Sequence, residues 1–449
     1  MRNPSISIIM PLYNATKYLE ESINSIRKQT FEDFELICMN DASTDDTLEI
    51  LRHFRKNDAR IKIFSNEERK GAAFSRNRGM KEAGGTYLSF LDGDDIFEEE
   101  MLETAYRTME KWEADIVSFE YVHVESENIR QKQFISRSSE YRERYCKQPF
   151  CIREYMPEEI LRFASSPCNK LFRRKFIESN CLEFQTLPCA NDVYFVNMAL
   201  MLAEKAVILN DSRAMVYARD HFEPTRISYK RDPIYTFRAM EKIQKELTER
   251  NLFAKLYRHY YYRFYWDMKS ALEKTKNVED KKAFYLFLQR EGIRRIRLSG
   301  GAYYDELDWY IRRNLERFEK EDFDSEWYRE KDNLLEIYLD RKKELFIELF
   351  GDCFRRNMRI GIWGAGANGR VFLEFCKKHD LIADAVIDKS VKMQGKMLMN
   401  YKVSAPEAVL DDLQMIIITT YSIYDSVIGE IGERAVEVMD LQRFLNIIL

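Results

Sequence analysis

Apolar runs of membrane-spanning length are missing from this 449-residue chain. None of its hydrophobic stretches approaches the roughly 20 residues that cross a bilayer, so membrane-spanning helices are not expected. A secretory leader is not expected either, because the apolar run from Ser5 to Met10 is short and Pro11 ends it. Excess positive charge is lacking too. Lys and Arg number 71 against 75 Asp and Glu, a formal net charge of -4, which offers no electrostatic footprint for nucleic acid. The five histidines are scattered, which argues against a zinc site. Eight cysteines, at positions 38, 146, 151, 168, 181, 189, 353 and 376, include no C-x-x-C pair. They read as isolated reduced thiols of a cytoplasmic protein. The pattern G-x-x-x-x-G-K-[ST] is absent, which sets aside a P-loop kinase. Internal repeats and low-complexity tracts are also absent.

What is present suits a globular protein of two or three domains, with 45% hydrophobic and 33% charged residues. The first ~120 residues alternate short apolar runs with amphipathic stretches. Strands are expected at Ile6–Met10, Phe34–Met39, Ile61–Ser65, Tyr87–Leu91 and Ile116–Tyr121. Helices are expected at Lys17–Gln29, Thr44–Asn57, Ser75–Ala83 and Glu98–Trp112, with Ser43 and Asp46 forming a capping box for the second. This rhythm predicts an open, largely parallel α/β sheet with helices on both faces.

Residues 231–355 lack proline after Pro233 and are rich in Lys, Arg, Glu, Leu and Tyr, so they read as a helical region broken near Ser299–Gly301. Within it, Tyr257–Met268 is dense in aromatics and Arg. It is either a membrane-surface or partner-binding helix, or a helix packing its rings inward, the favoured reading. From Arg359 a second strand–turn–helix rhythm begins, with strands at Ile360–Trp363, Ala385–Asp388 and Met415–Thr419. The expected division is therefore 1–230, 231–355 and 356–449.

In open α/β sheets, ligands bind beyond the carboxyl ends of the strands. Four such ends carry polar or unusual residues: Pro11, Tyr13 and Asn14; Asp41; Lys70 and Gly71; and Asp92, Gly93, Asp94 and Asp95. Together they outline an anionic pocket with an aromatic entrance. Three aspartates within four residues repel one another, and a divalent cation relieves this. Mg²⁺ and Mn²⁺ take oxygen ligands and are shared with substrate phosphates. The same residues also suit an Asx turn and N-cap for the helix near Glu98. Asp41 suits a base or ribose contact, or the ordering of the turn Ala42–Asp46. Gly71 permits close approach to a phosphate or simply starts a helix. Arg76 and Arg78 face phosphates or solvent.

The segments ISIIMPLYNATKYLEESINSIRKQTFEDFELICMNDASTDDT and KGAAFSRNRGMKEAGGTYLSFLDGDD resemble the opening of a glycosyltransferase family 2 enzyme of the GT-A fold. The likeness persists to ~230 through Asn169-Lys170-Leu171-Phe172, Asn191-Asp192 and the stretch from Tyr217 to Ser228. It implies a GT-A domain over 1–230. It implies that Pro11, Tyr13 and Asp41 contact the nucleotide. Asp92 and Asp94 would form a D-x-D motif with Asp94 the chief ligand of Mn²⁺ or Mg²⁺. Asp192 would be the general base, and His221 would assist the metal or diphosphate. Asp192 also suits a helix N-cap. Asn191 and Asn40 stand where the family usually has Glu and Asp. The resemblance further implies a nucleotide-sugar donor (UDP before others), inversion at the anomeric carbon, and a glycan or lipid-linked acceptor in surface polysaccharide assembly. Peripheral contact with the inner face of the cell membrane would follow.

Gly364-Ala365-Gly366-Ala367-Asn368-Gly369 matches G-x-G-x-x-G between a strand and a helix, and Asp388 lies 19 residues beyond Gly369. The pattern resembles small Rossmann-like domains appended to bacterial glycosyltransferases. NAD, a nucleotide or no ligand all suit it, and a binding or structural role is favoured over a second enzyme. Three rival readings stand beside the glycosyltransferase. A nucleotidyltransferase would carry a Gly/Arg-rich loop where Pro11-Leu12-Tyr13-Asn14 stands. The others are a bifunctional enzyme with an NAD-dependent C-terminal half and a non-catalytic nucleotide-sugar-binding protein.

Overall fold

The computed structural model describes residues 3–124, 148–154, 165–219, 232–307, 309–323, 343–419 and 424–440 apart from 433 and 435, together with residues 160, 163 and 339. The chain forms two compact units. One holds Met1–Leu307 and Ile311–Arg329, the other Asp308–Tyr310 and Glu330–Leu449.

The first unit is built on strands β1 (Ile6–Leu12), β2 (Phe34–Asn40), β3 (Ile61–Ser65) and β4 (Tyr87–Phe90), which run parallel in the order β3-β2-β1-β4. β2 and β4 are buried at every position and β1 at all but Pro11. That is why they read as continuous apolar runs rather than alternating ones. The helices between them are α1 (Thr16–Arg27), α2 (Thr47–Asn57) and α3 (Ala72–Glu82). The expected capping box does not form. α2 starts only at Thr47, and its N-cap residue Asp46 makes no side-chain cap. Ser43 Oγ instead accepts the backbone N–H of Asn14 at 3.1 Å. A contact between neighbouring strand ends outcompetes the local cap.

Beyond the short β5 (Ile96–Phe97) lie α4 (Met101–Trp112), β6 (Ile116–Ser118) and β7 (Glu120–Val124). The single strand expected over Ile116–Tyr121 is thus two strands in different sheets. β6 joins the large sheet, whereas β7 joins a small one with β5 and β10 (Met215–Arg219). β8 (Lys170–Arg173) lies antiparallel between β4 and β6, and β9 (Ala206–Ile208) closes the order β3-β2-β1-β4-β8-β6-β9. The helices α5 (Arg174–Ser179) and α6 (Asn191–Leu202) lie between β8 and β9. α6 is buried from Val193 to Leu202, as expected of a helix apolar on all sides.

Helices α7 (Ile234–Glu249), α8 (Phe253–Lys274), α9 (Val278–Phe287), α10 (Ile293–Gly300), α11 (Ala302–Asp305) and α12 (Trp309–Lys320) follow. In α8, Tyr260, Tyr261, Tyr262, Phe264 and Tyr265 are all buried, so these aromatics pack inward rather than toward a membrane surface. The break expected near Ser299–Gly301 falls at Gly301 (φ +55), between α10 and α11.

The second unit contains α13 (Lys343–Arg355), β11 (Ile360–Trp363), α14 (Ala367–Lys378), β12 (Ala385–Ile387), β13 (Met397–Leu398), β14 (Tyr401–Ser404), β15 (Met415–Ile418), α15 (Tyr424–Ile431) and β16 (Glu437–Asp440). Its strand order is β13-β14-β12-β11-β15-β16, parallel except for β13. Phe346, Phe350, Phe372 and Phe375 pack with Ile362 and Ile417 in one core cluster. Trp363, Ile416, Ile418, Val427 and Ile431 form a second. Neighbouring strand residues feed different clusters, so this sheet is covered on both faces.

Candidate active site

The carboxyl ends of β1 to β4 do converge. Asp41 directly follows β2 and is 3% exposed. Its Oδ1 accepts from Asn66 Nδ2 at 2.6 Å and from the Lys70 amide at 2.9 Å, and its Oδ2 accepts from the Gly71 amide at 2.7 Å. The carboxylate thus clasps the loop between β3 and α3. The turn from Ala42 onward is tied by Asn40, whose Oδ1 accepts the Ser43 amide at 3.2 Å. Asn66, which no motif singled out, is a hub. It also donates to Ser75 Oγ, and Arg78 donates to its Oδ1 and to the Ser65 carbonyl. Arg78 therefore braces this loop. Asn66 opens the polar run Asn66–Lys70 that directly follows β3, and nothing in that run marks it out from its neighbours.

Gly71 holds φ +88 and ψ 164, a region open essentially to glycine alone. A Cβ there would meet no atom within 4 Å, so the backbone faces open space at the N-terminus of α3. The Lys70 ammonium pairs with Glu68 on the surface. Tyr13 is 38% exposed, with the Arg69 guanidinium 4.0 Å from its ring centroid. Asn14 (φ +48) bonds the loop after β2 through Ser43 and Thr44. Pro11 is half-buried at the end of β1.

The acidic turn follows β4. Asp92 Oδ1 accepts from Arg76 at 2.8 Å and its Oδ2 from the Cys168 thiol at 3.3 Å. Asp92, Asp95 and Cys168 present donor atoms that all lie within 4.8 Å of one another. Asp95 is buried and Asp94 half-buried. A Cβ on Gly93 would stand 2.3 Å from Leu12 Cδ2, so the Leu12 side chain would have to shift to admit one. This grouping differs in composition from the expected Asp92–Asp94 pair. It brings in Asp95 and Cys168, and only the pairing of β8 beside β4 places the cysteine there. His221 lies outside the described residues.

Arg76 is buried. It spans from Asp92 to Asn191 Oδ1 at 3.2 Å and lies over the Phe184 ring. Burial would depress its pKa, but Asp92, the Cys168 sulfur and Asp192 outweigh that and raise it. Asp192 is half-buried in the first turn of α6, which Ala190 (φ +55) precedes as N-cap. Asp192 is thus inside the helix rather than at its cap. Fully buried Lys170 donates to the Ser166 carbonyl and Asn169 Oδ1, both at 2.8 Å. Burial, aided by the charge of Arg263, pushes its pKa down to about 7 against the opposing pull of Cys168 and Asp192.

In the second unit the glycine turn follows β11. Gly364 holds φ +113, and a Cβ on Gly366 would meet nothing within 4 Å. A Cβ on Gly369 would lie 1.8 Å from the Gly364 carbonyl oxygen, so α14 packs directly onto the turn. Asp388 accepts from the amides of Ala365 and Ser390, each at 2.8 Å. Its carboxylate fastens the turn. Among the described residues no helix is long and apolar enough to cross a membrane.

Known proteins resemble this chain in sequence and in fold. The family model "Glycosyl transferase family 2" matches residues 7–179. Glycosyltransferase GlyG of Streptococcus pneumoniae is 31% identical over 218 residues, 46% of this chain and 68% of its own. The match to GlyA of the same organism, at 32% identity, covers 46% of this chain but only 30% of GlyA. A Campylobacter jejuni enzyme named GalNAc(5)-diNAcBac-PP-undecaprenol beta-1,3-glucosyltransferase is 32% identical over 175 residues, 38% of this chain and 56% of its own. Among solved structures, S. aureus TarS 1-349 in complex with UDP-GlcNAc superposes with a TM-score of 0.55 at 22% identity, over 76% of this chain and 92% of that one. That likeness is one of fold: a parallel-rich open sheet of the GT-A type. The chain belongs to glycosyl transferase family 2 and is a glycosyltransferase.

Proposed function

We propose that the first unit transfers a sugar from a nucleoside-diphosphate donor, with UDP as the nucleotide, to an acceptor hydroxyl, inverting the anomeric centre. The acceptor is a glycan or lipid-linked glycan of bacterial surface polysaccharide assembly, reached from the cytoplasmic face by peripheral contact. The observation that carries this reading is that the Asp41-clasped loop, with its open Gly71 backbone, leads into α3, whose Arg76 bonds both Asp92 of the acidic turn and Asn191 beside Asp192. TarS was solved with UDP-GlcNAc, and the Campylobacter relative is named for an undecaprenol-linked acceptor.

Asp92, Asp94 and Asp95 would hold Mn²⁺ or Mg²⁺, because carboxylate oxygens are the ligands those cations prefer and the donor atoms of Asp92 and Asp95 already lie within 4.8 Å of one another. Such a cation, when bound, offsets the negative charge that grows on the departing diphosphate. The chain's own residues do the rest. Tyr13 and Pro11 flank the nucleotide. The Gly71 backbone admits a phosphate beside the start of α3, where a helix N-terminus favours negative charge. Asp192 takes the proton from the acceptor oxygen, a role worth typically about 10²–10⁴-fold. The second unit is a Rossmann-like binding or structural domain. Thermal stabilisation by NAD that Asp388→Ala removes would instead favour a bifunctional protein.

The test is a panel of UDP- and GDP-sugars scored for released nucleoside diphosphate, with and without EDTA. Release that EDTA abolishes and Asp94→Ala lowers at least a hundredfold is the expected result. Release indifferent to EDTA overturns the metal assignment. Near-normal turnover of Asp192→Asn overturns the choice of base.

A further inference from the structure

Arg76 and Asn77 are consecutive on α3; Arg76 reaches the first residue of α6, and Asn77 reaches Phe184 in the segment between α5 and α6. Arg76 joins Asp92 Oδ1 (2.8 Å) to Asn191 Oδ1 (3.2 Å), and Asn191 is the first residue of α6, next to Asp192. A second route runs through aromatic rings. The Arg76 guanidinium sits 5.3 Å from the centroid of Phe184, which stacks on Phe195 of α6 with centroids 4.1 Å apart and planes at 13°. Asn77 holds Phe184 in place by a reciprocal pair of hydrogen bonds, each 2.8 Å, with its amide and carbonyl. The Arg76 side chain is 8% exposed and that of Asp92 38%, so the link is shielded from water at its Arg76 end and open to an incoming ligand at its Asp92 end.

We propose that Arg76 is a positioning residue that ties the donor end of the site to the helix bearing the general base. Engagement of Asp92 by the donor then sets where Asp192 stands. The proposal rests on the reading of Asp92 as a donor-side group and Asp192 as the base. Its physical logic is competition for one carboxylate. A cation and diphosphate brought to Asp92 draw on the oxygen that Arg76 holds. A planar guanidinium cannot change its grip at one end without moving the other. Asn191 and Phe184 pass that movement to the first turn of α6. The donor therefore assembles the acceptor side before an acceptor arrives.

The test uses the full chain as wild type, Asn191→Ala, Asn191→Asp, Arg76→Met and the Arg76→Met/Asn191→Ala double variant. Two quantities are read: amide hydrogen exchange over residues 190–196 with and without UDP plus MnCl₂, and UDP release from the active donor of the panel. In the wild type, UDP with Mn²⁺ is expected to slow exchange at the start of α6. Asn191→Ala should bind UDP with an affinity within about threefold of the wild type yet lose that protection, and its turnover should fall about tenfold. Donor KM should move little. Asn191→Asp, still an acceptor for Arg76, should restore both. The double variant should be no worse than Arg76→Met alone, the mark of two residues acting through one link.

Unchanged turnover and protection in Asn191→Ala overturns the proposal, as does additivity in the double variant. If Arg76→Met fails to fold, the two Asn191 variants decide. A wild type that neither binds UDP with Mn²⁺ nor releases it from any donor overturns the proposed function and this link together. An active wild type beside an unaffected Asn191→Ala overturns the link alone.

Discussion

Removing the Asp41 carboxylate should uncouple the loop between β3 and α3, proposed above to receive the donor, from the sheet. Asp41→Ala deletes three accepted hydrogen bonds, from Asn66 Nδ2, the Lys70 amide and the Gly71 amide. Hydrogen bonds to a charged group contribute about 1.5–3 kcal/mol each. Full additivity is not expected. Asn66 keeps Ser75 Oγ as a partner, and the two amide bonds are only part-buried, so water recovers some of the loss. A net cost of about 2–4 kcal/mol follows. If that energy holds the loop in its binding arrangement, UDP affinity with Mn²⁺ falls roughly 30- to 700-fold, at about 1.4 kcal/mol per tenfold. Asp41→Asn should fall less far, because one oxygen still accepts while its amide faces another N–H. Calorimetric titration of UDP measures the affinity, and amide exchange at Lys70 and Gly71 reports the clasp. Unaltered UDP affinity in Asp41→Ala, with those two amides exchanging as in the wild type, would refute the reasoning.

Three further outcomes are expected. Gly71→Ala meets no steric obstacle but must hold an essentially glycine-only conformation, so it should destabilise the loop by about 1–3 kcal/mol and weaken UDP binding without changing the far-ultraviolet spectrum. Gly369→Ala would press a methyl onto the Gly364 carbonyl and should lower the melting temperature of the second unit while UDP binding by the first survives. Glu35 concerns pH. Burial would raise its pKa, but Lys62, Ser7 and the Gly84 amide outweigh burial and hold it below the ordinary glutamate value. Its ionised form therefore stabilises the fold above the unfolded value of about 4.3, and that contribution is lost as pH falls through the lower folded value. Glu35→Gln should flatten the stability profile in that window, read by urea denaturation between about pH 3 and 6, and an unchanged profile would count against the network.

The strand pattern of the first unit was legible because β1, β2 and β4 lie between covering layers, and burial on both faces leaves an uninterrupted apolar signature. Asp41 and Asp92 stood out because each closely follows such a run, at the carboxyl end where open α/β sheets receive their ligands, whereas Arg76 and Asp192 lie on helices. Phe119 was harder. The chain changes sheet there, and β6 and β7 are separated by that one residue, with no glycine or proline to mark the change. Ser43 misled because its competing partner, the Asn14 amide, lies 29 residues away.

From sequence alone, the open α/β core, the acidic turn after β4, the glycine turn after β11 and the family resemblance were all decided. Each depends on neighbours within a few positions, where period, burial and turn chemistry act. The tertiary structure decided what those groups touch. Asp41 turned to Lys70 and Gly71, Asp388 to Ala365, and Asp92 to Arg76 and Cys168. These partners stand 16 to 76 residues from their carboxylates along the chain. Strand order brings such pairs together, and no local pattern encodes it.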